Sequence, residues 1–160
     1  MGPGGRSFVI TGPNRGGKTT YAQAIGLSHV MAQLGLLVPG TKAAISPADG
    51  IFTHFPNEER IDRGSGRLGD EAMRIAGIFS ALSSRSLVIF NESLSSTNAS
   101  ESFYIARDVL RVLCALGARS VFTTHLYELA SALDEINSSV SSGEKALSLV
   151  ASVADEPSGR

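Results

Sequence analysis

Ser7-Phe8-Val9-Ile10-Thr11-Gly12-Pro13-Asn14-Arg15-Gly16-Gly17-Lys18-Thr19-Thr20 is the stretch that decides the fold. Phe8 to Ile10 is a short apolar run of the kind that forms a buried strand. The chain then passes through G-x-x-x-x-G-K-T and enters a helix-compatible segment at Lys18. A strand, this glycine spacing and a helix together predict a phosphate-cradling P-loop. The glycines permit backbone angles closed to other residues. Successive N–H groups can then converge on phosphate oxygens at the positive end of the helix. On this reading Gly12, Pro13, Asn14, Arg15, Gly16, Gly17, Lys18, Thr19 and Thr20 form the ATP-binding segment. The Lys18 ammonium would neutralise the β- and γ-phosphates, and the Thr19 hydroxyl would ligate Mg²⁺.

Composition narrows the class. A chain of 160 residues, 42% hydrophobic and 18% charged, can bury one proper core and has no disordered signature. No apolar run approaches the ~18 to 20 residues of a membrane span. The first six residues lack the apolar stretch of a signal peptide. The one cysteine, Cys114, excludes an internal disulfide framework and suits a reducing compartment, so a cytoplasmic setting is expected. Its place on an expected helix points to core packing. A formal charge of −1 lacks the basic excess by which a domain grips nucleic acid alone. Any nucleic-acid contact would therefore belong to some other chain or segment. The chain begins shortly before a central strand, which suggests a piece of a longer protein. We expect a single domain over 1–160, with 1–6 and 155–160 as frayed ends.

Along the chain, Lys18 to Leu36 suits a helix with Ala22, Ile25, Val30, Ala32 and Leu34 near its buried side, covered on most sides and ended at Gly35. Ala43 to Ser46 and Gly50 to Phe55 read as two short strands. Asn57 to Gly69, rich in charge and glycine, is a surface loop, and loops of that length are often functional. A helix over about Asp70 to Ser83 presents Ile75, Ile78, Phe79 and Leu82 on one face. Ser86 to Phe90 is an apolar strand entering Asn91-Glu92. A polar loop, Ser93 to Ser100, leads to a helix over Glu101 to Leu116 with Phe103, Ile105, Val109, Leu110, Val112 and Leu113 toward the core. Ser120 to Thr124 is a strand ending at His125. Tyr127 to Leu133 is a short helix, Ser138 to Gly143 a loop, and Lys145 to Val153 a late strand. Strands alternating with helices predict an α/β fold, a mostly parallel sheet covered on both faces.

Such sheets carry their chemistry at the carboxyl ends of the strands. Three strand ends qualify: Gly12 onward, Asn91-Glu92, and His125. An apolar strand followed by two acids is the Walker B arrangement, but Asn91 stands in the first acidic position. Its amide keeps an oxygen for a metal-bound water and loses the charge, so Mg²⁺ held by Thr19 and Asn91 is expected to bind more weakly than at an aspartate. Glu92 is the candidate general base. His125 could sense the γ-phosphate and orient water. Taken singly, Glu92 could merely cap the next loop and His125 could be an ordinary polar residue.

These residues together resemble the ATPase domain of the MutS family, DNA mismatch-recognition proteins related to the ABC ATPases. The likeness runs from about Phe8 to Glu135. Its carriers are Thr11 to Thr20, similar to T-G-P-N-x-x-G-K-S/T; Met31 to Gly35; Val38-Pro39; Asp49 to Thr53; Ser86 to Glu92; and Thr124-His125-Leu126-Tyr127-Glu128-Leu129. The resemblance implies an ABC-type P-loop fold that forms a homodimer, with ATP between the P-loop of one subunit and a signature loop of the other. It also implies ATP-driven clamp changes in DNA-binding regions elsewhere, and Glu92 and His125 remain the catalytic candidates read from the strand ends. There are departures. The signature S-T-F is not legible in Gly64 to Glu71, where Ser65 is the candidate trans hydroxyl. Asn91 replaces the acid, and Ser93 to Ser100 lacks the usual glycines. These place the chain in a divergent MutS-like branch and leave a second reading open, a nucleotide-gated interaction module with little or no hydrolysis. An ABC ATPase of transport or chromosome maintenance would need an L-S-G-G-Q-like signature, which the sequence lacks.

Overall fold

The structure, a computed structural model, describes residues 5–55, 67–94, 97–141 and 144–152. Five strands form one all-parallel sheet: β1 (Ser7–Thr11), β2 (Ile51–His54), β3 (Leu87–Asn91), β4 (Arg119–Thr123) and β5 (Ala146–Val150). Their order across the sheet is β2-β3-β4-β1-β5. The helices are α1 (Lys18–Gln33), α2 (Arg67–Ala81), α3 (Ala99–Leu116), α4 (Tyr127–Ser131) and α5 (Leu133–Ser139). Because every strand runs the same way, all carboxyl ends meet along one edge. The tips of β3, β4 and β1 stand side by side there.

The apolar runs of the central strands alternate between two cores, as the period-2 geometry of a strand requires. Val9, Val88, Phe90 and Phe122 face one core with Ile75 of α2, Leu110 and Leu113 of α3, Leu129 of α4 and Ile136 of α5. Ile10, Leu87, Ile89 and Val121 face the other, with Ala22 and the segment carrying Ala48. Both faces of the sheet are thus covered, which is why these strands read as unbroken apolar runs. Cys114 lies in the first core, as expected. Its thiol is pushed above the ordinary range by burial, a contact with Ser7 opposing the shift and Glu144 adding to it.

Several expectations need correction. Helix α1 is not covered on most sides: Ala22 and Gly26 are buried, whereas Val30 and Leu34 are exposed. A Cβ on Gly26 would come within 2.8 Å of Ile89. The helix therefore sits on the sheet through Ala22, Gly26 and a partly buried Ile25, while Leu27 and Val30 point away. Ala43 to Ser46 forms no strand. Its neighbour β2 pairs with β3, and the Ser46 and Pro47 carbonyls accept hydrogen bonds from the Arg119 guanidinium at 2.6 and 2.8 Å instead. Val112 of α3 is exposed, because the buried stripe runs Ser102, Ala106, Val109, Leu110, Leu113, Cys114. The segment after β4 makes two helices, broken at Ala132. The apolar spacing Leu129, Leu133, Ile136 continues past the expected end and holds α5 on the core.

Other boundaries agree with the sequence reading. Gly35 follows the C-cap of α1 with φ +71°, and Leu36 N–H closes on Met31 O at 2.9 Å, the capping geometry that ends a helix in a left-handed residue. Asn98 caps α3 by accepting the Glu101 N–H at 2.9 Å. Of the ends expected to fray, 1–4 and 155–160 lie outside the described residues. Arg6 is engaged, donating to the Ser84 and Gly117 carbonyls and pairing with Glu144 at 3.0 Å. Ser65 and most of the charged loop also lie outside the described residues.

Candidate functional site at the strand tips

The loop between β1 and α1 has the backbone that its glycines allow. Gly12 has φ +144° and Gly17 φ +76°. A Cβ on Gly12 would meet the Ala151 carbonyl oxygen at 2.4 Å, because Ala151 N–H bonds to Thr11 O at 2.7 Å and brings the end of β5 against the loop. Gly17 serves as N-cap of α1 with no side chain to satisfy the first-turn amides. Those amides remain available for an anion at the positive helix end. Pro13, Asn14, Arg15 and Thr20 are exposed, and Gly16 and Thr19 are partly buried. Arg15 has φ +65°.

Lys18 is 4% exposed. Its Nζ donates to the Gly12 and Pro13 carbonyls at 2.9 and 3.0 Å, so the ammonium is folded inside the loop. A buried ammonium must be paired or hydrogen-bonded. Here the loop carbonyls do this, with the Glu92 carboxylate 3.9 Å away.

Glu92 follows β3 with φ +49°, and its N–H bonds to Thr123 O at 2.9 Å. Its Oε1 lies 2.8 Å from His125 Nε2. Both side chains are partly open to solvent, so a reactant can approach them. Asn91, 5% exposed, accepts the Thr123 hydroxyl through Oδ1 at 2.8 Å. Lys18, Glu92 and His125 are thus brought together. Thr19 sits one position along α1 from Lys18, and Asn91 one position before Glu92.

These residues suit the group the sequence implies. The first-turn amides of α1 and the glycine cradle fit phosphate oxygens. Among the described residues no three His, Cys, Asp or Glu converge as a metal cage. Mg²⁺ is commonly bound by one or two carboxylates beside substrate phosphates and water; here the expected ligands are instead the Thr19 hydroxyl and the Asn91 amide, whose Oδ1 already accepts the Thr123 hydroxyl. A hollow of about 360 Å³ flanks the loop, lined by Ile10, Tyr21 and the Leu149–Ala151 end of β5. A larger one, about 520 Å³, lies between α5 and the start of β5, at the opposite end of the sheet from the strand tips.

One polar cluster at these tips escaped the sequence reading. His54, last residue of β2, is 2% exposed. Its Nδ1 lies 2.6 Å from Ser93 Oγ and 3.9 Å from Glu71 Oε1, and Nε2 is buried with no hydrogen-bond partner. Burial holds its pKa below the usual histidine value; nearby Arg74 adds to the shift and Glu71 opposes it. The available signal was its place at a strand's carboxyl end, like His125.

A strand, a glycine loop that buries its lysine, and an acid and imidazole on adjacent strand tips define a P-loop α/β domain. A family model described as MutS domain V matches residues 8–154. DNA mismatch repair protein MutS of Rhodopirellula baltica is 37% identical over 128 residues, 79% of this chain and 14% of that protein. The MutS proteins of Caldicellulosiruptor saccharolyticus and Clostridium botulinum are 33% and 35% identical over 82% and 81% of this chain, and over 16% and 14% of their own lengths. The chain belongs to the MutS family and spans 14% to 16% of the length of these relatives. No described helix is long and apolar enough to cross a membrane.

Proposed function

We propose that this chain is the Mg²⁺·ATP-binding and hydrolysing domain of a MutS-like DNA repair protein, cytoplasmic and from a divergent branch of the family. The observation that carries the reading is the convergence of Lys18, Glu92 and His125 on the mouth of the glycine loop. The loop amides and Lys18 bind the phosphates, and the apolar hollow beside Tyr21 takes the nucleoside end. Thr19 and, through water, Asn91 would hold Mg²⁺, which would supply neutralising charge at the phosphate oxygens. Glu92 accepts the proton of the attacking water, and His125 orients the carboxylate that does so. A phosphate would compete for the ammonium with the Gly12 and Pro13 carbonyls, so Lys18 exchanges neutral partners for charged ones on binding.

In the ABC-type arrangement that the family likeness suggests, two copies pair with ATP between them, Ser65 supplying the trans hydroxyl. The DNA-contacting parts then lie in other regions of the protein, which the neutral charge balance of this domain supports. The test is single-turnover hydrolysis by the full-length protein, with Glu92→Gln as control and pairing followed by size. The reading expects hydrolysis that Glu92→Gln abolishes, and ATP-promoted dimers.

Asn91 favours a second reading, a nucleotide-gated module with little hydrolysis. Its side-chain oxygen already takes the Thr123 hydroxyl and carries no charge to hold the metal. A wild-type rate equal to that of Glu92→Gln would leave only this binding role.

A further inference from the structure

Behind Glu92 the chain turns through Ser93 and Leu94, and three other elements grip this turn. Glu92 and Leu94 both have positive φ, 49° and 67°. Residues with side chains persist in that region only where the surroundings over-determine it. Glu71 Oε1, near the start of α2, accepts the Leu94 N–H at 2.6 Å. Ser102 Oγ, in the first turns of α3, donates to the Leu94 carbonyl at 2.5 Å. His54 Nδ1, at the end of β2, meets Ser93 Oγ at 2.6 Å. All five residues are more than nine-tenths buried, so solvent has little access to replace a lost partner. A carboxylate accepting a backbone N–H in a dry site is among the stronger hydrogen bonds.

We propose that Glu71 is a positioning residue for Glu92: by fixing the Leu94 N–H it sets the left-handed turn 92–94 and thereby holds the Glu92 carboxylate against His125 and beside Lys18. The inference rests on the hydrolytic role given to Glu92 above. Of the three side chains among the described residues that grip the turn, Glu71 is the carboxylate and the one that fixes the amide of the second strained residue. Removing its acceptor strands that amide in the core, which the turn relieves by relaxing its φ angles. Glu92, one end of the same turn, then leaves its place. Ser102 and His54 still tether the turn, so the change is a misplacement and not an unfolding.

The experiment uses the full-length protein as wild type, Glu71→Ala, Glu71→Gln and Glu92→Gln. It reads the NMR resonance of the His125 ring without nucleotide, and steady-state kcat and KM with Mg²⁺·ATP. Glu71→Ala is expected to move the His125 resonance in the direction that Glu92→Gln moves it. It should also lower kcat by about 10- to 100-fold, the scale of a catalytic group displaced by an ångström, with KM little changed. Glu71→Gln, whose amide oxygen still accepts the Leu94 N–H, restores most of both. A His125 resonance at its wild-type position in Glu71→Ala, or a wild-type kcat in that variant, overturns the proposal. Should Glu71→Ala not fold, Glu71→Leu fills the space without an acceptor and takes the same two measurements. If Glu92→Gln hydrolyses ATP as fast as wild type, the hydrolytic reading is what fails, and the His125 resonance alone then decides the positioning role.

Discussion

His125 Nε2 lies 2.8 Å from Glu92 Oε1, although the two residues are 33 positions apart in the chain. The contact follows from the registry of the sheet. β3 and β4 are adjacent and parallel, with Asn91 opposite Thr123, so the residues just beyond that pair leave the sheet together at one edge. The glycine loop leaves the same edge from β1, on the other side of β4. Lys18 therefore reaches Glu92 from one side while His125 holds it from another.

Lys18→Ala removes the donor to two loop carbonyls and to any bound phosphate. We expect ATP affinity to fall by on the order of 1.5 to 3 kcal/mol, the size of a hydrogen bond to a charged group. Equilibrium titration with a fluorescent ATP analogue measures it. An unchanged affinity would remove the P-loop from the argument.

Asn91→Asp should sharpen the Mg²⁺ dependence. The carboxylate keeps the acceptor for the Thr123 hydroxyl and adds the missing charge, but it is nearly fully buried. Without metal the variant should melt lower than wild type, since an uncompensated buried charge is costly. Mg²⁺·ATP should then raise its Tm more than it raises that of wild type. Thermal melts with and without Mg²⁺ decide the matter.

Gly12→Ala tests the seam between β5 and the loop. The new methyl would combine a φ of +144° with an approach of 2.4 Å to the Ala151 carbonyl. Backbone strain and overpacking each cost about 1 to 3 kcal/mol, so a loss of about 2 to 6 kcal/mol is expected in urea unfolding. Gly17→Ala, whose Cβ meets nothing within 4 Å, should lose only the strain of its φ.

His54 gives stability a definite pH dependence. Its native pKa lies below the ordinary 6.5 because burial disfavours the imidazolium. On acidification the unfolded chain takes up a proton first, so its proton count exceeds that of the native state. The contribution of His54 is therefore complete above pH 6.5 and is lost as pH falls through the native pKa. Tm should drop as pH falls below about 6.5, the ordinary histidine value. The drop should be shallower in His54→Gln, and calorimetry across that range measures the difference.

Cys114 should resist thiol reagents in the folded protein. Burial raises its pKa, and the thiolate is the reactive form. Labelling with an aromatic disulfide should therefore track unfolding in urea, and rapid labelling of the native chain would contradict its place in the core.

How much of this was legible beforehand can be judged residue by residue. The glycine loop, β3, β4 and the strand-tip positions of Glu92 and His125 were readable because each depends on contiguous residues: an apolar run, then glycines, an acid or a histidine at its end. Helix α1 misled in its second half, where Val30 and Leu34 are exposed, because periodicity weighs large side chains, whereas this helix packs through Ala22, Gly26 and Ile25. The extra strand over Ala43 to Ser46 misled because extended character is local but pairing is not. With β2 engaged by β3, the Arg119 guanidinium took up carbonyls of that segment instead.

By itself, the sequence determined that a strand enters a glycine loop and a helix, and that an acid and an imidazole end two later strands. These are short-range facts of backbone freedom and side-chain type. The place of β4 between β3 and β1, which puts Glu92 within reach of both His125 and Lys18, came from long-range strand pairing. The grip of His54, Glu71 and Ser102 on the turn behind Glu92 was invisible in the sequence, since Ser93 and His54 stand 39 residues apart. Such a cluster exists only once burial has stripped water from its members and left them one another as partners.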